Sequence, residues 1–88
     1  MRYLFQGSQS AERFELLLSR TGIRSEPSIL ALRKYLVDGL DEKTAMWIAE
    51  VRKSNFSRDL AKLNEVAEFV EKVKEIDLYR GKNAKQNA

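Results

Sequence analysis

The chain has no cysteine and no histidine. Without cysteine it can form neither a disulfide nor a thiolate metal site, which is typical of a protein in a reducing compartment. Without histidine it lacks the commonest general base, the commonest metal ligand and every nucleophile system that depends on an imidazole. We therefore expect no enzyme, no cofactor, no metal site and no small-molecule substrate.

Long apolar runs are also missing, and glycine and proline are scarce. No run approaches the ~20 apolar residues that a bilayer span needs. Residues 1–7 are too short and too aromatic for a signal peptide. We therefore expect a cytoplasmic protein without a membrane partner. Four glycines and one proline in 88 residues interrupt the chain rarely, which favours long regular elements.

The composition that remains is that of one small globular domain. Apolar residues make up 43% of the 88 residues and charged residues 33%. Nearly all of the periodicity is helical, which predicts an all-α fold: a small domain of four to five helices over residues 1–80. Residues 81–88 are predicted to be a flexible, polar and basic tail. The segment at residues 4–8 resembles a protease cleavage scar, but we interpret it as native.

Capping residues predict where the first two helices begin and end. Ser8 or Ser10 caps the first helix, which runs to about residue 21, and Gly22 is expected to end it. Ser25 caps the second helix, which runs to residue 38, and Gly39 supplies a left-handed stop.

The chain after residue 53 carries two overlapping apolar seams. The first has a 4-3-4-3 spacing typical of helix packing, and its members are Phe56, Leu60, Leu63, Ala67 and Val70. The second seam contains Val66, Val70, Val73 and either Ile76 or Asp77. Because asparagine is a weak helix former and a good cap, we expect a bend or break near Asn64. The last helix is expected to end near Tyr79.

A helix-turn-helix is indicated between residues 42 and 63. A short helix from 42 to 49, capped by Asp41, is followed by the connection Glu50-Val51-Arg52 and by a second helix that is basic at its start. Residues 51–63 carry four basic groups and one acidic group, Asp59, which suits a polyanion. The candidate DNA-binding residues are Arg52, Lys53, Ser54, Asn55, Ser57, Arg58 and Lys62.

The spacing alone leaves a second interpretation open. An ordinary helical hairpin with a solvated basic face has the same pattern, and such a chain would be a protein–protein adaptor whose basic helix binds an acidic partner.

Three stretches of the chain form a recognisable pattern: residues 25–39, SEPSILALRKYLVDG, then Asn55-Phe56-Ser57, and then Leu60-x-x-Leu63-Asn64. They resemble the PapB/FocB family of fimbrial, or adhesin biosynthesis, transcriptional regulators of enteric bacteria, and the resemblance covers roughly residues 4–80. That family usually has glycine in the helix connection, where this chain has Glu50.

The resemblance implies a function. It predicts a nucleoid-associated regulator that binds A·T-rich double-stranded DNA near a fimbrial promoter, cooperatively and as a homo-oligomer. A small module with few base-reading groups gains selectivity when several copies bind side by side. We expect Trp47, Tyr3 and Phe5 at contacts between copies, together with the last helix.

Overall fold

A computed structural model describes the backbone of residues 3–87 and the side chains of residues 3–79. Within these residues the chain forms helices and no strand, which confirms the all-α fold. The helices are α1 (Ala11–Ser19), α2 (Glu26–Leu36), α3 (Glu42–Ala49) and α4 (Lys53–Asn87). None of them is both long and apolar enough to cross a membrane. With 35 residues, α4 accounts for most of the 56 Å length of the molecule.

The first three helices begin at the predicted caps. The side chains of Ser10, Ser25 and Asp41 each accept a hydrogen bond from the backbone N–H three residues further on. Each cap therefore satisfies one of the N–H groups that a helix leaves without an internal partner. The bounds predicted for α3 are confirmed at both ends.

The predicted glycine stop is confirmed after α2 but is wrong for α1. Gly39 adopts a φ of 81°, so it does supply the left-handed stop, although α2 itself ends two residues earlier than expected. Gly22 has no positive φ and does not end α1. Instead, the backbone N–H of Arg20 donates to the carbonyl of Leu17 and that of Thr21 to the carbonyl of Leu18, which closes the helix without a glycine.

The core is built around α2, which packs against α3, α4 and α1, while α4 also packs against α1. The ring of Phe56 meets that of Tyr35 edge to face, with the centroids 5.7 Å apart. The first seam of α4 is the helix's contribution to this core, since four of its five members are buried and Val70 is half-buried. The remaining large core residues are Leu4, Phe14, Leu17, Ile23, Leu32 and Leu36.

The N-terminal segment packs as an integral part of the fold. Leu4 is buried in the core, and the backbone N–H of Gly7 donates to the carbonyl of Tyr35 at 2.9 Å. Gly7 has a φ of 67°, and a Cβ on it would approach the backbone of Gly39 to 3.2 Å. A side chain at position 7 would therefore push the segment away from the end of α2.

The predicted break near Asn64 is wrong, because α4 is continuous through this residue. The side chain of Asn64 has a tertiary role instead: its Oδ1 accepts hydrogen bonds from the backbone N–H groups of Tyr3 at 2.7 Å and Leu4 at 3.2 Å. The predicted end near Tyr79 is also wrong, since the helix runs to Asn87. Whether residues 81–88 act as a flexible tail stays a prediction.

An ion pair joins the first helix to the last. Nη2 of Arg13 donates to Oε1 of Glu71 at 2.5 Å, and Lys74 lies 3.6 Å from the same oxygen. The hydrogen bond from Arg13 lowers the pKa of Glu71 below its ordinary value of 4.5. Because this pKa is depressed in the folded chain, the stability it provides is present above the ordinary value and lost as the pH falls through the lowered one.

Glu71→Gln is therefore expected to reduce the loss of folding stability that occurs when the pH falls into the acid range. The variant should be less stable than the parent chain at about pH 7 and equal to it at about pH 2, where the carboxyl is protonated in both states. Urea denaturation at both pH values measures this. The same substitution at the exposed Glu75 is the control, and a stability gap that stays constant with pH would contradict the prediction.

Candidate nucleic-acid interface

The helix-turn-helix is assembled from α3, a three-residue connection and the start of α4. Ala45 and Ala49 are buried on α3, and Phe56 and Leu60 are buried on α4, as expected for the contacting sides of the two helices. Val51 in the connection is half-buried against the core. α3 packs mainly against α2, which in turn packs against α4, and this arrangement sets the direction in which the first turns of α4 point.

The tight connection depends on an unusual backbone conformation at Glu50. This residue ends α3 with φ 56° and ψ 45°, and among the described residues it is the one non-glycine with a positive φ. Left-handed geometry costs an L-residue about 1–2 kcal/mol because its Cβ crowds the following carbonyl. The glycine expected at this position by resemblance would avoid that cost.

Glu50→Gly is accordingly expected to stabilise the fold by about 1 kcal/mol. Glu50→Ala removes the same charge and keeps the Cβ, so it should give no comparable gain. Thermal and urea denaturation of the two variants would separate the backbone effect from the charge effect. Equal gains in both variants would show that the strain is not what matters.

The seven predicted DNA-binding residues lie together on one exposed surface. Ser54, Arg58 and Lys62 follow one another at intervals of four residues, which places them on a single face of α4. Ser57 lies beside this face, and the other three residues surround the amino-terminal end of the helix. All seven are exposed: Arg52, Lys53, Ser54, Asn55, Ser57, Arg58 and Lys62. We call this set the basic surface.

The one acidic residue within this stretch is turned away from solvent. Asp59 is 3% exposed, and its Oδ1 accepts a hydrogen bond from Nε of Arg58 at 3.4 Å. The contact uses Nε and leaves the terminal nitrogens of the guanidinium, whose side chain is 62% exposed. Asp59 therefore positions Arg58 without placing a second negative charge on the basic surface.

The amino-terminal end of α4 adds to the positive potential. No acidic residue lies in its first turn, and Arg52 and Lys53 sit where the free backbone N–H groups of a helix concentrate partial positive charge. Both features favour an approaching phosphate.

The two basic residues of α2 form ion pairs within the chain. Arg33 pairs with Glu15 and lies over the ring of Phe14, 5.6 Å from its centroid. Nζ of Lys34 lies 3.2 Å from Oδ2 of Asp38. These partners distinguish the two residues from the basic surface.

The predicted contacts between copies occupy different environments. Trp47 is 80% exposed and borders an open hollow of about 700 Å³ that also contacts Lys53. Phe5 is 52% exposed, whereas Tyr3 is half-buried and packs against the chain's own core. Within the described residues no group of acidic side chains is arranged to hold a metal ion.

Comparison with known proteins identifies the family. Residues 1–77 match the PapB family, described as adhesin biosynthesis transcription regulatory proteins. The chain is also similar to FocB from E. coli, whose crystal structure matches it with a TM-score of 0.78 and 32% sequence identity over 83% of each chain. No curated protein sequence matches it significantly. The resemblance found in the sequence is confirmed: the chain belongs to the family of adhesin biosynthesis transcription regulatory proteins, and it regulates transcription of a fimbrial operon.

Proposed function

We propose that this regulator binds A·T-rich double-stranded DNA near a fimbrial promoter through the basic surface of α4. The observation that carries the proposal is the placement of all seven candidate residues on one exposed surface while Asp59 is buried behind it. Contacts from lysine and arginine to phosphates supply affinity, and the helix-turn-helix core holds those side chains in fixed positions. Such a protein works in the cytoplasm, on the nucleoid.

The preference for A·T-rich DNA follows from what the basic surface offers. Its polar groups are few, so it has limited capacity to read individual base edges. A-tracts have a narrow minor groove with an enhanced negative potential, which attracts lysine and arginine without a base code. A surface rich in positive charge and poor in base-reading groups therefore favours recognition by groove shape.

Cooperative binding by several copies completes the proposal. One small module cannot be very selective, whereas copies bound side by side multiply modest affinities. A tryptophan as exposed as Trp47 presents a large apolar surface that a partner would bury, and we place it, with Phe5 and Tyr3, at contacts between copies.

An electrophoretic mobility shift tests the proposal most simply. The chain should shift an A·T-rich duplex more strongly than a G·C-rich duplex of the same length, in steps that show cooperativity, and the shift should weaken steeply at higher salt. An unshifted duplex at low salt, together with binding to an acidic protein, would instead support the adaptor interpretation.

Lys53→Ala is expected to weaken binding to every duplex and to lower the salt dependence of log K by about one unit. The reason is that one phosphate contact fewer releases one counterion fewer. Lys74→Ala, an exposed lysine of α4 outside the basic surface, serves as the control and should leave the slope unchanged. Equal slopes for parent and K53A would remove Lys53 from the interface.

A further inference from the structure

The second half of α4 carries an apolar stripe that the chain itself leaves uncovered. Val66, Phe69, Val73 and Ile76 are spaced 3-4-3, so they lie along one face of the helix. Phe69 is 70% exposed, Ile76 60% and Val73 39%. The first seam of the same helix is covered by the rest of the chain, whereas Phe69, Val73 and Ile76 of this stripe face solvent and Val66 is half-buried against the core.

The stripe continues onto α1, which makes it a surface rather than a line. Leu16 is 65% exposed on α1 and borders an open groove of about 390 Å³ that also contacts Val66 and Val70. A contiguous apolar surface of this kind is uncommon on a small monomer and marks an interaction site.

The length of α4 independently indicates a partner. Residues 72–79 are all exposed, so this part of the helix projects beyond the core. Isolated helices of fewer than about 12–15 residues are marginal in water, because tertiary packing provides most helical stability. Residues 72–87 include Gly81, which lowers helix propensity further. A packing partner along the stripe would supply the missing stabilisation.

We propose that the stripe pairs with the same stripe of a second copy, with the two α4 helices parallel. The 3-4-3 spacing is that of a coiled-coil seam, which is complementary to itself. In a parallel pair, Lys72 of one copy lies beside Asp77 of the other, because residues flanking the seam meet their partners five positions further on. The twofold symmetry makes this attraction occur twice.

The opposite orientation is electrostatically worse. In an antiparallel pair that aligns the same four apolar layers, Lys72 of one copy meets Lys72 of the other. Within the described residues Asp77 makes no ion pair, and Lys72 pairs with Glu68 of its own helix at 3.0 Å. The parallel pair therefore gives Asp77 a partner, and the antiparallel pair does not.

A parallel pair also fits the basic surface. Lys62 lies seven residues before Phe69, at the equivalent seam position, so two close helices would bring like charges together there. The repulsion separates the helices toward their amino-terminal ends, and contact is confined to residues 66–76. The amino-terminal ends of both α4 helices, with Arg52 and Lys53, then lie at the same end of the pair. This part of the argument rests on the proposed function, because the pair would supply a contact surface for the oligomer proposed to bind DNA.

Sedimentation of the free protein over a wide concentration range tests the stripe. Ile76→Glu should raise the dissociation constant of the pair by about tenfold or more, since it places a charge in the seam. Leu78→Glu is the matched control, because Leu78 is 68% exposed but lies on the other side of the helix. A parent chain that stays monomeric up to millimolar concentration, or equal effects of the two variants, would overturn the proposal.

Charge exchange tests the orientation. Asp77→Lys and Lys72→Asp should each weaken self-association, and a mixture of the two variants should restore it, because both flanking pairs are then attractive. Lys74→Asp breaks a comparable ion pair within the helix, that with Glu71, and should not weaken association. No effect of D77K would contradict the parallel pair.

DNA binding separates this proposal from the proposed function. Ile76→Glu should retain parent affinity for a short duplex that accommodates one copy and bind a longer one less cooperatively than the parent, since the contacts proposed for Trp47, Phe5 and Tyr3 remain. If the parent pairs in solution but binds no duplex, the pairing stands and the DNA-binding proposal fails. If I76E binds DNA as cooperatively as the parent, the stripe is not a contact between copies.

Discussion

Phe56→Ala is expected to reduce the free energy of unfolding by about 3–5 kcal/mol. Phe56 is 1% exposed, and its ring packs at the junction of α4 with α2, where it meets Tyr35 edge to face. Truncation leaves a cavity at the junction that fixes the start of α4. Because a chain of this size has about 4–13 kcal/mol of stability in total, the variant should be partly unfolded at moderate temperature.

Urea denaturation followed by circular dichroism measures this loss. Phe69→Ala is the matched control, since the same side chain is removed at a position that is 70% exposed. In dilute solution, where pairing is absent, F69A should change stability by less than about 0.5 kcal/mol. A loss below about 1 kcal/mol for F56A would mean that the interior of the helix-turn-helix is not packed as described.

The double variant Arg58→Ala/Lys62→Ala is expected to lose about 30-fold in DNA affinity near physiological salt. Both residues are exposed on one face of α4, about one turn apart. Two lost phosphate contacts should also lower the salt dependence of log K by about two units. Since neither side chain is buried, the fold should be retained, and the loss in affinity is a direct effect on the interface.

Binding isotherms at several salt concentrations give both quantities. Arg24→Ala/Lys74→Ala removes the same number of charges from exposed positions outside both the basic surface and the stripe, so it is the control for net charge. If the two double variants lost equal affinity, the effect would come from overall charge and not from the basic surface.

Much of the fold is encoded in local sequence signals. The predicted helix caps and the predicted glycine stop are confirmed, and each acts within three or four residues of its own position: Ser10, Ser25 and Asp41 as caps, and Gly39 as the stop. The first seam of α4 can also be predicted from the sequence, because a 4-3-4-3 spacing of apolar residues indicates a packed helix face whatever the distant residues are.

The features that could not be predicted depend on distant contacts. Asn64 was expected to interrupt α4 because its intrinsic helix propensity is low. Its side chain instead accepts hydrogen bonds from the backbone N–H groups of Tyr3 and Leu4, which precede it by 61 and 60 positions in the sequence. No local sequence pattern predicts that contact. The pairing of Arg13 with Glu71 is equally remote in sequence. In both cases tertiary structure outweighs local preference.

The candidate interface divides in the same way. The composition of residues 52–62 predicts a helix that is basic at its start. The burial of Asp59 behind Arg58 is seen only in the structure. The sequence also showed two overlapping seams on α4. Only the fold reveals that the first seam is used within the chain, and that the exposed stripe contains Phe69, which the predicted second seam lacks.

Titration of an A·T-rich duplex into isotope-labelled protein, followed by amide chemical shifts, tests the central claim most directly. It reports where DNA touches the chain without altering any residue. The basic surface predicts that the largest changes fall within residues 52–62, with smaller ones on the outer side of α3. Changes concentrated elsewhere, with residues 52–62 unaffected at saturation, would contradict the assignment of α4 as the DNA-binding helix.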